Sequence, residues 1–127
     1  MFIVADDVVN VTGSAVRLYF HMHDPDVKVE GREAKSDRIR VLLPEGTEAE
    51  AVASERSLRT DITVPSSRII VTDHSGKSRQ YLTVFTKRDD LTDPKIERVD
   101  GGVRISYKQG AEEVAFLWSF THSLKRV

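Results

Sequence analysis

Between Ser14 and His23 every second residue is apolar: Val16, Leu18, Phe20 and Met22 fall on one side, with Arg17, Tyr19, His21 and His23 on the other. A period of two is the signature of a strand with one face in a core and one in water. On a helix the same four apolar residues would be scattered around the axis. The segment therefore demands a second layer to cover its apolar face. A chain of 127 residues is long enough to supply that layer within one domain and too short for two independent cores.

The rest of the chain follows the same rule. Phe2 to Val11 reads as an extended segment interrupted at Asp6-Asp7, and Thr12-Gly13 has the turn chemistry to join it to Ser14 to His23 as a hairpin. Val27 to Glu30 is a short strand, Gly31 to Ser36 a charged loop, and Arg38 to Leu43 a strand closed by Pro44-Glu45-Gly46. In Thr47 to Ser57, Ala and Glu favour a helix intrinsically, yet Ala49, Ala51 and Ala53 alternate, and the strand reading is preferred. Asp61 to Val64 and Arg68 to Thr72 are β-branched runs divided by Pro65-Ser66-Ser67. Arg79 to Thr86, Lys95 to Val99, Val103 to Lys108 and Glu113 to Phe120 complete the set, and Asp100-Gly101-Gly102 is the clearest hairpin turn. No connection is long enough for repeated helical crossovers, so pairing is antiparallel. The expectation is an all-β chain, an antiparallel two-sheet β-sandwich of roughly 9–11 short strands over residues 1–120, with 121–127 as a tail.

Composition removes several function classes. Nineteen Lys and Arg stand against 20 Asp and Glu, a formal charge of -1, so no overall field favours nucleic acid or an anionic membrane. There is no apolar run of about 18 residues, so no membrane-spanning helix is expected, and the N-terminus lacks the pattern of a signal peptide. With no cysteine there are no disulfides or thiolate sites. Nucleotide-loop, dinucleotide, HExxH and nucleophile-elbow motifs are all missing from the chain. No catalytic residue is assigned.

Three groups of residues remain as candidates. His21, His23 and Asp24, with Asp26 nearby, are the best metal candidates, because histidines two apart on a strand share a face. A transition-metal site needs three or four ligands, and the competing reading places both imidazoles on a solvated strand face. His74 and His122 are isolated, and the pairs Asp6-Asp7 and Asp89-Asp90 read as solvated turns rather than acid/base pairs. Between residues 28 and 40 five cations (Lys28, Arg32, Lys35, Arg38, Arg40) face three acids (Glu30, Glu33, Asp37). This excess could touch an acidic polysaccharide or could simply be a charged edge that resists strand pairing. Arg79, Lys87 and Arg88 around Tyr81 and Phe85 form a weaker basic and aromatic group. Arg32, Lys35, Arg38, Arg40 and Tyr81 are thus the candidate glycan contacts, although the aromatics of Tyr81 to Phe85 and Phe116 to Trp118 also suit a core.

Val4-Ala5-Asp6-Asp7-Val8-Val9, Thr12-Gly13 and the run Arg17 to Val27, with its Phe20-His21-Met22-His23-Asp24-Pro25, resemble the entry into the C-terminal β-sandwich of heparinase II/III-like polysaccharide lyases. Tyr81 to Phe85 and Asp100 to Val103 are similar to strands that follow in that region. Such lyases cleave uronate-containing glycans by β-elimination. Their Tyr and His come mainly from an N-terminal helical toroid, and their metal is held by a His-rich motif, an Asp and a His-Asn pair. Those motifs are not in this sequence, and His21 and His23 do not match the His-Asn element. The resemblance therefore implies a non-catalytic C-terminal fragment without a cofactor of its own, with any divalent metal elsewhere in the parent lyase. Its partners would be the preceding catalytic domains and an acidic polysaccharide, its parent periplasmic or secreted, and Met1 an expression start. The alternative is a stand-alone carbohydrate-binding or interaction module.

Overall fold

The structure is a computed structural model, and it describes residues 1–87, 92–119 and 123–127. Those residues form twelve strands and no helix: β1 Phe2–Val8, β2 Val16–Met22, β3 Lys28–Glu30, β4 Glu33–Lys35, β5 Ile39–Leu42, β6 Glu48–Arg59, β7 Ile62–Asp73, β8 Arg79–Lys87, β9 Thr92–Val99, β10 Gly102–Gln109, β11 Glu112–Ser119 and β12 Ser123–Arg126. The chain is all-β and sandwich-like, and every pairing is antiparallel. Among the described residues no helix is long and apolar enough to cross a membrane.

Hydrogen bonding divides the strands among three sheets. Sheet A has the order β1-β8-β5-β4-β3, sheet B β2-β7-β6, and sheet C β12-β11-β10-β9. Sheet A is the middle layer. On one side Val41, Leu43 and Ala34 pack with Met22, Ile69 and Val71 of sheet B, joined by Phe20 and Phe85. On the other, Leu42, Leu82 and Val84 pack with Ile96 and Ile105 of sheet C, joined by Val103 and Trp118. Successive residues of a strand point to opposite faces, so Tyr81, Thr83 and Phe85 face one core while Leu82 and Val84 face the other. This is why residues 81–84 are all buried. Strands covered on both sides read as near-continuous apolar runs.

Several sequence expectations hold. The segment 47–57 contains a strand, β6, and Gly101 turns with φ 75° between the paired strands β9 and β10. Others change. Phe2–Val8 and Val16–Met22 are not a hairpin, since β1 pairs with β8 in sheet A and β2 with β7 in sheet B. Thr12-Gly13 instead lets the chain arch from one layer to the next. Asn10 Oδ1 accepts the Gly13 N–H at 3.0 Å, and Asn10 Nδ2 donates to Ser14 O at 2.7 Å. The β7–β8 connection arches back alongside, with Gly76 against Gly13: a Cβ on Gly76 would lie 2.6 Å from Gly13 O. The aspartates at 6 and 7 lie inside β1 rather than interrupting it.

The charged loop at residues 31–36 contains β4, which pairs with β3 and β5. The two expected runs, Asp61 to Val64 and Arg68 to Thr72, fall in one strand, Ile62–Asp73, despite Pro65. There β7 has outrun β2, whose last pair is Met22 with Ser67, so one edge is free to face the missing N–H. Part of the expected tail is β12, paired with β11.

Candidate glycan-binding surface

The charged segment between β2 and β5 is held by internal partners. Asp24 ends the turn after β2 and is 3% exposed. It accepts hydrogen bonds from Ser36 Oγ and from the Arg38 guanidinium, whose Nε lies at 3.0 Å. Ser36 Oγ in turn accepts the backbone N–H of Arg38 at 3.2 Å and of Ile39 at 3.1 Å. The Arg38 and Ser36 bonds to Asp24 hold its carboxyl below the usual carboxylate range, against burial that pushes it up. This network clamps the β2–β3 turn onto the β4–β5 turn. His21 and His23 remain exposed while Asp24 turns inward, so the three metal candidates are not brought together. Among the described residues no group of three or more His, Asp or Glu is arranged to hold a metal ion.

The cations expected to meet a glycan are similarly engaged. Arg40 Nε lies 3.0 Å and Lys35 Nζ 3.3 Å from Glu33, and Lys35 reaches Glu30 at 4.0 Å. Lys28, Lys35 and Arg40 are cross-strand neighbours in one row of sheet A, with the glutamates in the next. The local positive excess is thereby largely neutralised by its own ladder. Arg32 bridges to sheet C through Ile96 O at 3.4 Å. Tyr81 is 1% exposed, so its ring is not available for stacking. Its hydroxyl donates to Asp73 Oδ2 at 2.6 Å, and the Arg79 guanidinium sits over its ring at 4.8 Å. Burial first, then the bond to Asp73 and its charge, push the phenol up to about 12. For Asp73, burial raises the carboxyl, but the donors Tyr81 and Ser75 and the charge of Arg79 outweigh it and leave it lowered. These are fixtures of the arch between sheets A and B. Arg88, Asp89, Asp90 and His122 lie outside the described residues.

A different surface has the chemistry that a sugar ligand requires. On the outer face of sheet B the rows run Arg17, Thr72, Glu48, then Tyr19, Ile70, Glu50, then His21, Arg68, Val52. Tyr19 is 51% exposed, and the Arg68 guanidinium lies 5.6 Å from its ring centroid. Arg17 and His21 flank it on the same strand face, two residues away on either side. A shallow depression of about 340 Å³, lined by Glu48, Ala49, Glu50, Ile70 and Thr72, lies across the neighbouring strands β6 and β7. With the Arg68 guanidinium over one side of the ring, the arrangement offers the other side of Tyr19 as a flat π face for the C–H side of a pyranose, with guanidinium donors nearby for a carboxylate. Tyr19 was legible as an aromatic on the polar side of an amphipathic strand, a position where a ring is not needed for the core. Its cross-strand neighbour Arg68 was not, because it lies far away in sequence.

No family model, curated protein or solved structure matches this chain.

Proposed function

We propose that this chain is a non-catalytic β-sandwich domain that contacts acidic, uronate-containing glycan, and that it serves as the C-terminal domain of a heparinase II/III-like polysaccharide lyase. The observation that carries the glycan reading is the half-exposed Tyr19 ring with Arg68 beside it on an open sheet face. A sugar ring covers the tyrosine, and its carboxylate takes the guanidinium of Arg68 or Arg17, a charge-assisted and salt-sensitive contact. The resemblance of Arg17 to Val27 to the lyase sandwich supports the parent assignment, as does the all-β architecture that it implies. In this reading elimination, and any metal it uses, belongs to the preceding domains, and the parent acts in the periplasm or outside the cell. The same face on a stand-alone carbohydrate-binding module is the second reading.

Titration with heparin, heparan sulfate and alginate oligosaccharides, followed by amide shifts, tests the contact. Shifts should centre on Tyr19, Arg68 and Arg17, weaken with salt and vanish in Tyr19→Ala with the fold intact. No shifts at millimolar ligand, or shifts indifferent to Tyr19→Ala, would sink the glycan reading. The two parent assignments separate on the genomic reading frame: several hundred further codons upstream support the lyase, and a natural start at Met1 removes it.

A further inference from the structure

The outer edge of sheet B has open pairing groups, with β3 of sheet A across a cleft from its first part. β6 is the end strand in the order β2-β7-β6, so one row of its backbone N–H and C=O groups faces away from β7. It contains no proline and no lysine, and its register with β7 is regular from Glu48 to Ser57. Proline, lysine and early bulges are the usual devices that keep such an edge from pairing. The charges on the outer face of β6 are instead distributed by sign, with Glu48 and Glu50 near its start and Arg56 near its end, while Glu55 lies on the opposite face. Glu50 is exposed, and it has no ion-pair or hydrogen-bond partner among the described residues. Arg56 has none either, and its Nε is buried and unsatisfied.

We propose that two copies of this chain associate through antiparallel β6–β6 pairing about a two-fold axis at Ala53. In that register Glu50 of each copy stands directly opposite Arg56 of the other, on the same sheet face, so both unpartnered charges are matched twice. Glu48 meets Leu58, Ala51 meets Glu55, and no like charges are opposed. Parallel pairing would set Glu50 beside Glu50 and is disfavoured by the same charges. The product is a six-stranded sheet, β2-β7-β6-β6-β7-β2, with an isologous interface. Its outer face carries both Tyr19 rings, five strand spacings apart across the sheet and six residues apart along it, roughly 31 Å in all. Pairing also neutralises Glu50, which shares a row with Tyr19. If the glycan reading holds, the dimer presents two sites to one polymer and gains avidity without new contacts. The pairing itself does not depend on that reading.

Sedimentation velocity of the full chain from low micromolar to millimolar concentration supplies the test. The unmodified chain should dimerise reversibly. Glu50→Arg sets arginine against arginine twice by symmetry and should weaken the dimer on the order of 30-fold. The swap Glu50→Arg with Arg56→Glu should restore it, because the opposed charges are again complementary. The chain has no cysteine, so Ala53→Cys gives a single thiol that meets its copy within disulfide reach and should crosslink under mild oxidation. Ala51→Cys, opposite Glu55, should not. A chain that stays monomeric throughout overturns the proposal. So does a dimer that ignores Glu50→Arg, or one that persists while Ala53→Cys fails to crosslink.

Discussion

Replacing Tyr81 by Phe removes one oxygen from the arch between sheets A and B and leaves the ring in place. That oxygen donates to Asp73 Oδ2 at 2.6 Å, and Asp73 is 2% exposed. Ser75 N–H at 2.9 Å and Arg79 at 3.5 Å still serve the carboxylate, so the loss is that of one hydrogen bond to a buried charge, about 2 kcal/mol at pH 7. With an unfolding entropy of about 2.1 cal/mol/K per residue, that lowers Tm by roughly 7 °C.

The pH dependence makes the test sharper. The Tyr81 phenol is pushed up to about 12 in the folded state from its ordinary 10.0. A raised folded value means that its contribution is complete below pH 10 and is lost as pH rises through 12, a fall of at most about 3 kcal/mol. Tyr81→Phe lacks that fall, so the gap between the two proteins should close as pH rises from 10 to 12. Guanidinium melts followed by Trp118 emission measure it, since Trp118 packs on the second core. Lysine titration is common to both proteins and cancels. A gap below about 0.5 kcal/mol at pH 7, or one unchanged at pH 12, refutes the role given to this hydroxyl.

Asp24→Asn should cost about 2 kcal/mol at neutral pH by weakening the Ser36 and Arg38 bonds. Because the folded Asp24 carboxyl lies below 3.8, its contribution is complete above that value and is lost as pH falls through the folded one. Acid unfolding of the variant should therefore be less steep than that of the parent. Thr83 is completely buried between sheets A and B, and its Oγ1 has no hydrogen-bond partner. Thr83→Val should raise stability by about 1 kcal/mol in urea melts, and a loss would show that the hydroxyl is satisfied. Gly76→Ala combines a left-handed φ of 70° with a Cβ placed 2.6 Å from Gly13 O. It should cost about 2 kcal/mol or more in a thermal melt, whereas Gly110→Ala, at φ 64° with nothing near its Cβ, should cost only the backbone strain of about 1 kcal/mol.

What could be read from the sequence was local. The alternation in Val16–Met22, the small-residue strand Ala49-Glu50-Ala51-Val52-Ala53 and the glycine turn at Gly101 are each properties of adjacent residues. Pairing is not. Thr12-Gly13 has hairpin chemistry, yet strands that close a hairpin must also bury their faces in the same layer. β1 belongs with Leu82 and Val84 of β8, and β2 with Ile69 and Val71 of β7. Tyr81 and the cations at 32–40 suggested a ligand surface because side-chain type does not reveal internal partners: Asp73, Asp24, Glu33 and the Ile96 carbonyl absorb them. Tyr19 carried the opposite signal, an aromatic ring on the face that water claims. Its meaning emerged only when Arg68 was placed beside it by the β2–β7 register.

The middle layer also sets a timetable. β8 lies at the interior of sheet A, and its partner β1 is the first strand of the chain, with Phe2 meeting Phe85. During synthesis β1 must wait for roughly 80 further residues, several seconds at ordinary elongation rates, before its partner exists. Sheet B cannot close earlier, because β2 waits for β7 in the same way. Before β8 exists, only neighbours in sequence can pair, β3 with β4, β4 with β5 and β6 with β7, and none of these pairings includes β1 or β2. A domain laid out like this folds late and slowly, as long-range β pairing does, and it exposes β1 and β2 to chaperones or to neighbouring chains until β7 and β8 have been made.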